Sequence, residues 1–323
     1  MEHLLKKKNV NGVGYGLLVR GGKVVGEGIV VTVEKKVPLE MLDEKDIIPR
    51  FVGNLETDVI EVGELKLLSI DRTKKHRPFP MGVSCGHKDI TAGTAGFIAT
   101  DNETGKKVLV SNNHVLANVN QGGFGDEILQ PGPYDGGVLE SDVVAKLLRF
   151  VEIKSLDCKI SKAVKVVLNF ILKILGSRFR FMYYVDNPID LPANKVDCAA
   201  AELVDSRIAD PVLAELVSIT GVDSVKVGDI VKKSGRTTGV TEGVIHAVDY
   251  QANVAMDKTG TKIARFVDQL LIKTDSGKFS APGDSGSAIV KGDKLVGLLF
   301  AGSDTVTIAN KIENVFMELK VSV

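Results

Sequence analysis

The chain has 323 residues, 44% hydrophobic and 25% charged, ordinary figures for a soluble globular protein and long enough for two or three compact units with substantial cores. Its 41 Lys+Arg balance 41 Asp+Glu, so no global field steers it toward nucleic acid, and no nucleic-acid partner is expected. The three cysteines, Cys85, Cys158 and Cys198, are widely spaced and lack a C-x-x-C pair, which argues against a disulfide framework and against a zinc site.

The amino terminus, MEHLLKKKNV, shows no apolar core between basic residues and a small-residue cleavage site, so no secretory signal is read there and a reducing, cytoplasmic setting is expected. The most apolar run, VVLNFILKIL, is short and interrupted by Asn169 and Lys173, so no transmembrane segment is expected.

Residues 10 to 70 hold short β-type runs, with the turn GGK between the first two. Pro38 then suits the first turn of a short helix over PLEMLDEKDI, and a small α+β domain is assigned to residues 1–75. Gly12, Gly14 and Gly16 lack both a preceding strand and a long following helix, so they read as hairpin glycines rather than a dinucleotide loop. The charged, proline-bearing stretch DRTKKHRPFP, 71 to 80, reads as a linker.

From GTAGFIAT onward short strands alternate with Gly, Asp and Asn turns, DNETGKK being a hairpin connection. In SNNHVLANV, His114 sits where a strand ends and a helical turn begins, a place for a structural hydrogen-bonding histidine as much as for a catalytic one. The Gly/Pro loop GDEILQPGPYDGG after it either borders a cleft or turns a corner. Residues 158 to 176 read as a helix stopped by Gly176, an insertion into a β scaffold. At about 100° per residue, Lys159, Lys162, Lys165, Asn169 and Lys173 share one polar arc, and the remaining apolar arc is wider than one packed face requires. The barrel plus a second helix, a homo-oligomer contact or lid over the cleft, or a membrane surface would each cover it.

Strand signals return after residue 195. Asp197 follows a short apolar lead and precedes the run CAAAEL, so its carboxylate is expected to be buried, where it needs a donor such as an imidazole N–H. In APGDSGSAIV, Pro282, Gly283 and Gly286 hold Ser285 on a tight loop against a strand, where successive N–H groups can converge on one point.

The motifs SNNHVLA, VDCAAAEL and GDSGSAIV resemble, in order, the His, Asp and Ser motifs of the trypsin-like (chymotrypsin-fold) serine peptidases. SGRTTGVTEGVI and KLVGLLFAGS are similar to the Arg-Thr-Thr-Gly turn and the cleft strand of bacterial members such as streptogrisins and α-lytic protease, and the likeness spans roughly residues 90 to 312. The amino-terminal domain also resembles segments preceding such domains in bacterial, archaeal and phage chains.

The resemblance implies a mainly β protein: a double six-stranded β-barrel of chymotrypsin type, with His114 and Asp197 on the first barrel (residues 76–205, with the helical insertion at about 155–180) and Ser285 on the second (206–323). Ser285 would be the nucleophile, His114 the base and Asp197 its orienting partner, with Asp142 as a rival for that last role; the N–H groups of Gly283 and Ser285 would bind the oxyanion, with no cofactor or metal. Phe279 would lie near the base of the primary pocket, favouring a small or apolar side chain, and Phe300, Ala301 and Gly302 would line the substrate cleft. The function so implied is a serine endopeptidase acting on protein or peptide substrates. The alternatives are a silent peptide-binding or scaffolding module on the same fold, and a narrow self-processing protease.

Overall fold

The computed structural model describes residues 1–63, 65, 70–155, 159–179, 191–257, 262–275 and 277–323. Cys158 lies outside them, and the other two cysteines are buried free thiols. The chain divides into two compact units, Met1–Ser69 and Ile70–Val323.

The first unit is built on a four-stranded sheet. Strands Val10–Arg20 and Lys23–Val33 form a long antiparallel hairpin, and Leu55–Glu61 runs parallel to the second of them. Leu4, Ile29 and Val31 make its small buried core. In place of the short helix expected after Pro38 there are two separate 3-10 turns, Leu39–Met41 and Glu44–Asp46. The apolar side chains Leu39 and Met41 are exposed, so no buried face rewards a longer helix.

The stretch 71–80 packs as part of the second unit instead of linking the two. The Arg72 guanidinium, 2.6 Å from Glu215, also reaches Ser234 Oγ, and Phe79 is fully buried. The reason is composition at one-residue resolution: an arginine with two acceptors and a core phenylalanine tie down a segment whose overall charge resembles a linker.

Two large sheets dominate the second unit, beside a small parallel pair, Phe79–Met81 with Ala209–Leu213. In the first, six strands of three or more residues follow the order Phe97–Asp101, Lys107–Ser111, Ala199–Leu203, Val143–Phe150, Glu127–Leu129, Ser84–His87, with a two-residue strand at each end. In the second, Ile263–Lys273, Gly239–Ala255, Ile230–Gly235, Ala288–Lys291, Lys294–Gly302 and Thr307–Lys311 pair in that order, and the last pairs back with the first, closing a ring. Closure removes the exposed edges that an open sheet would present. Phe97, Val110, Ala200 and Leu147 lie in the first core, and Val231, Ile245, Leu270 and Phe279 in that of the second.

Turn chemistry sets the registers. Asp101 Oδ2 accepts from the Thr104 N–H (3.1 Å) and hydroxyl (2.6 Å), folding the DNETGKK hairpin. The inserted helix spans Lys159–Ile174 and ends at Gly176 (φ +68°), where Gly176 N–H donates to Lys173 O and Ser177 N–H to Leu172 O, the paired bonds of a left-handed glycine cap.

Candidate active site

His114 lies on the one-turn helix Asn113–Leu116 that follows strand Lys107–Ser111. The two asparagines before it are fully buried and tie that turn down. Asn112 Nδ2 donates to Asp197 O (2.8 Å), and Asn113 Nδ2 to Asn120 Oδ1 and Val151 O (both 2.7 Å). Residues 118 to 120 all have positive φ, including the β-branched Val119 at +53°, a conformation that such a residue adopts only under constraint.

Asp197, just before strand Ala199–Leu203, has a fully buried side chain. Its Oδ2 lies 2.6 Å from His114 Nδ1, and its Oδ1 accepts the His114 backbone N–H at 3.3 Å, so one carboxylate holds both ring and turn. The ring is a quarter exposed. Burial by itself lowers the pKa of His114, but the charge and hydrogen bond of Asp197 outweigh it and raise the value above the ordinary one for histidine. Asp142, the rival carboxylate, is instead 2.6 Å from Lys75 and accepts the Val138 N–H at 3.0 Å.

Asn310 was not singled out from sequence and completes this side of the site. Fully buried on the second barrel, it accepts the Asp197 N–H (2.9 Å) and donates to Asp197 O and Leu298 O (both 3.1 Å). An asparagine inside the apolar strand VTIANKI was the available signal, because a buried amide must find partners.

Ser285 sits on the turn before strand Ala288–Lys291. Its carbonyl accepts the Thr94 N–H at 2.8 Å, and a Cβ built on Gly93 would stand 3.1 Å from that oxygen and 2.5 Å from Val115, the residue after His114. The Ser285 loop is therefore seated against the histidine turn. Ser285 Oγ is 3.4 Å from Phe300 O, and among the described residues no hydrogen bond joins it to His114. Gly286 has φ +93°, and a Cβ there would fall 2.0 Å from Ser111 Oγ, so only glycine fits between the two barrels. The N–H groups of Asp284, Gly286 and Ser287 are spent on the carbonyls of Ala281, Leu299 and Asp284. Those of Gly283 and Ser285 have no internal acceptor among the described residues, which leaves two donors on the loop for an oxyanion.

Asp284 is fully buried and accepts from the N–H groups of Ala281 (2.9 Å), Thr237 (2.8 Å) and Thr238 (3.2 Å) and from the Thr238 hydroxyl (2.7 Å). Its cation is Lys233, also fully buried, with Nζ 3.4 Å from Oδ2 and further bonds to Thr238 Oγ1 and Gly239 O. Burial pushes the Lys233 ammonium down to about 8 against the opposing pull of Asp284. Arg236, on the same turn, grips Asp135 with two hydrogen bonds of 2.6 Å, so the QPGPYDGG loop latches one barrel to the other.

Two clefts flank the site. One, of about 480 Å³, is lined by Ser285, Ala301 and Gly302, with Ser280, Lys278 and Asp304 around it. Phe279 is displaced from the role expected of it: its side chain is only 3% exposed and packs in the second barrel core, away from that cleft. Lys278 and Ser280 line the opening, while the Phe279 ring between them packs with Val231, Ile245 and Leu270. The second cleft, of about 430 Å³, is bounded by His114, Val119, Met256 and Phe300, so Phe300 lies on the histidine side while Ala301 and Gly302 lie on the serine side.

Two curled sheets carry the site, with the His–Asp pair on one and the Ser285 loop of the other seated against it. The second unit is therefore mainly β, its second sheet closed into a barrel. No family model and no curated protein matches the chain. Among solved structures, it is similar to a glutamic acid specific serine protease (17% identity, TM-score 0.46, covering 76% of this chain and 99% of that one). It is also similar to Nocardiopsis protease NAPase (15%, 0.46, 76% and 97%) and to Thermobifida fusca protease A (13%, 0.46, 76% and 97%). In this fold, His114, Asp197 and Ser285 come from strand ends and turns, where side chains can reach a cleft without breaking a hydrogen-bonded ladder.

Proposed function

We propose that the protein is a serine endopeptidase working through Ser285, His114 and Asp197, and the observation that carries this is the buried Asp197 carboxylate 2.6 Å from His114 Nδ1. Asp197 fixes the tautomer that leaves Nε2 free to take the Ser285 proton. Ser285 Oγ then attacks the scissile carbonyl while the N–H groups of Gly283 and Ser285 bear the developing negative charge. His114 returns the proton to the leaving amine, and water repeats the sequence on the acyl-enzyme. Lys233 and Asp284 hold the loop that supplies the oxyanion donors without any freed amino terminus. With Phe279 withdrawn into the core, the primary pocket is bordered by Ser280, Lys278 and Asp304, so its selectivity rests on hydroxyl and charged groups.

A second reading, a silent peptide-binding module, is favoured by one observation: Ser285 Oγ rests near the Phe300 carbonyl instead of on His114. A fluorophosphonate probe separates the two. Labelling expected at Ser285, absent in Ser285→Ala and read by intact mass, supports the enzyme; an unlabelled wild type assigns the fold to peptide holding.

The pH profile of kcat/KM is a further expected result. The base must be neutral, so activity rises with pH through a His114 pKa above 6.5. It falls again near pH 8 as Lys233 loses the charge that faces Asp284. This fall is not unfolding. Because the folded pKa of Lys233 is below the unfolded value of 10.5, the unfolded chain binds more protons between the two, and this group's contribution to stability rises with pH across that window. Lys233→Arg keeps its charge and is expected to move the alkaline limb beyond pH ~10. A limb unmoved in that variant would assign it to another group.

A further inference from the structure

The inserted helix Lys159–Ile174 is the one long helix of the second unit's described residues, and most of its described apolar side chains are exposed. Phe170, Ile174 and Leu175 are 63%, 68% and 73% exposed, and Val164, Val167 and Ile171 are exposed as well, whereas Leu168 and Leu172 are half-buried. At about 100° per residue, the exposed Val164, Val167, Ile171, Ile174 and Leu175 fall within one arc of roughly 100°. Among the described residues, this arc is not covered by the barrel and a second helix, one of the arrangements open from sequence.

Charge identifies what covers it. From Lys159 to Phe179 the sequence carries Lys159, Lys162, Lys165, Lys173 and Arg178 and no acidic residue, although the whole chain is electrically balanced. By sequence position, the four lysines of the helix fall on an arc of about 120° on the face opposite the exposed apolar one, the division of a helix that lies in an interface. A second copy of this segment offers no acidic residue to balance those charges. An anionic lipid surface offers both an apolar layer for the exposed arc and negative headgroups for the lysines. No helix of the described residues is long and apolar enough to cross a membrane, and this one spans about 24 Å.

We propose that the Lys159–Ile174 helix docks the protein on an anionic lipid surface, lying in the headgroup plane with Val167, Ile171 and Ile174 buried among the acyl chains.

The test is cosedimentation of the full chain with vesicles of phosphatidylcholine alone or with about 30% phosphatidylserine. Binding is expected only to the anionic vesicles, weakening with salt. Ile171→Glu/Ile174→Glu/Leu175→Glu is expected to abolish it with an unchanged melting temperature. Should that variant fail to fold, Lys162→Gln/Lys165→Gln/Lys173→Gln leaves the apolar arc intact and is expected to weaken binding about fivefold for each lysine removed. Binding to neither vesicle, equal binding to both, or no loss in the glutamine variant overturns the proposal. So does a wild-type dimer that the glutamate variant splits while lipid binding is absent, which would assign the face to a second copy of the chain.

Discussion

Alanine in place of Ser285 or of His114 is expected to lower turnover by about 10⁶-fold, each alone costing as much as both together, because the two act as one proton-transfer unit. The fold should be indifferent. Ser285 Oγ makes only a 3.4 Å contact with Phe300 O, and the histidine turn is held by Asn112 and Asn113 independently of the ring. Thermal unfolding of Ser285→Ala is therefore expected within about 0.5 kcal/mol of wild type, whereas His114→Ala keeps the fold but loses more stability, because it leaves the buried Asp197 carboxylate without its imidazole. Turnover in either variant within tenfold of wild type removes these residues from the mechanism.

Asp197→Asn is expected to cost about 10⁴-fold in turnover near neutral pH, since the amide can donate to Nδ1 and so hold the proton on the wrong nitrogen. Substrate KM should change little, because Asp197 stabilises the imidazolium of the transition state and not the bound ground state. Asp142→Asn, by contrast, loosens the contacts to Lys75 and the Val138 N–H and is expected to leave turnover near wild type. Activity lost in the Asp142 variant and kept in the Asp197 variant would transfer the orienting role.

The difference between these two aspartates shows where sequence reasoning gained its purchase. Asp142 and Asp197 are both buried carboxylates beside a strand, but Asp142 follows Glu140 and Ser141 and lacks the small apolar run that follows Asp197. The order of the motifs favoured Asp197, and the strand pairing of Ala199–Leu203 with Lys107–Ser111 brings it beside the turn that begins at Asn113. Lys233 illustrates the opposite case. Nothing in VKKSG distinguishes a solvent-facing lysine from one buried 3.4 Å from Asp284, because that depends on which face of strand Ile230–Gly235 looks into the barrel.

What the chain determines by itself is what a few neighbouring residues can enforce. Gly176 stops the inserted helix because only a residue tolerant of φ +68° can spend the last carbonyls there. Asp101 and Thr104 fold their hairpin through a side chain reaching three residues ahead. The alternation of short strands and turns was likewise enough to expect an all-β domain. Only the tertiary structure decided that Phe279 turns into the core while Lys278 and Ser280 border the cleft, that residues 71–80 are anchored through Arg72, and that the apolar arc of the inserted helix remains uncovered. Each of these depends on partners distant in sequence, such as Glu215 for Arg72. Burial, strand register and ion pairing are settled by the whole arrangement of strands, to which a local stretch contributes only one side of each contact.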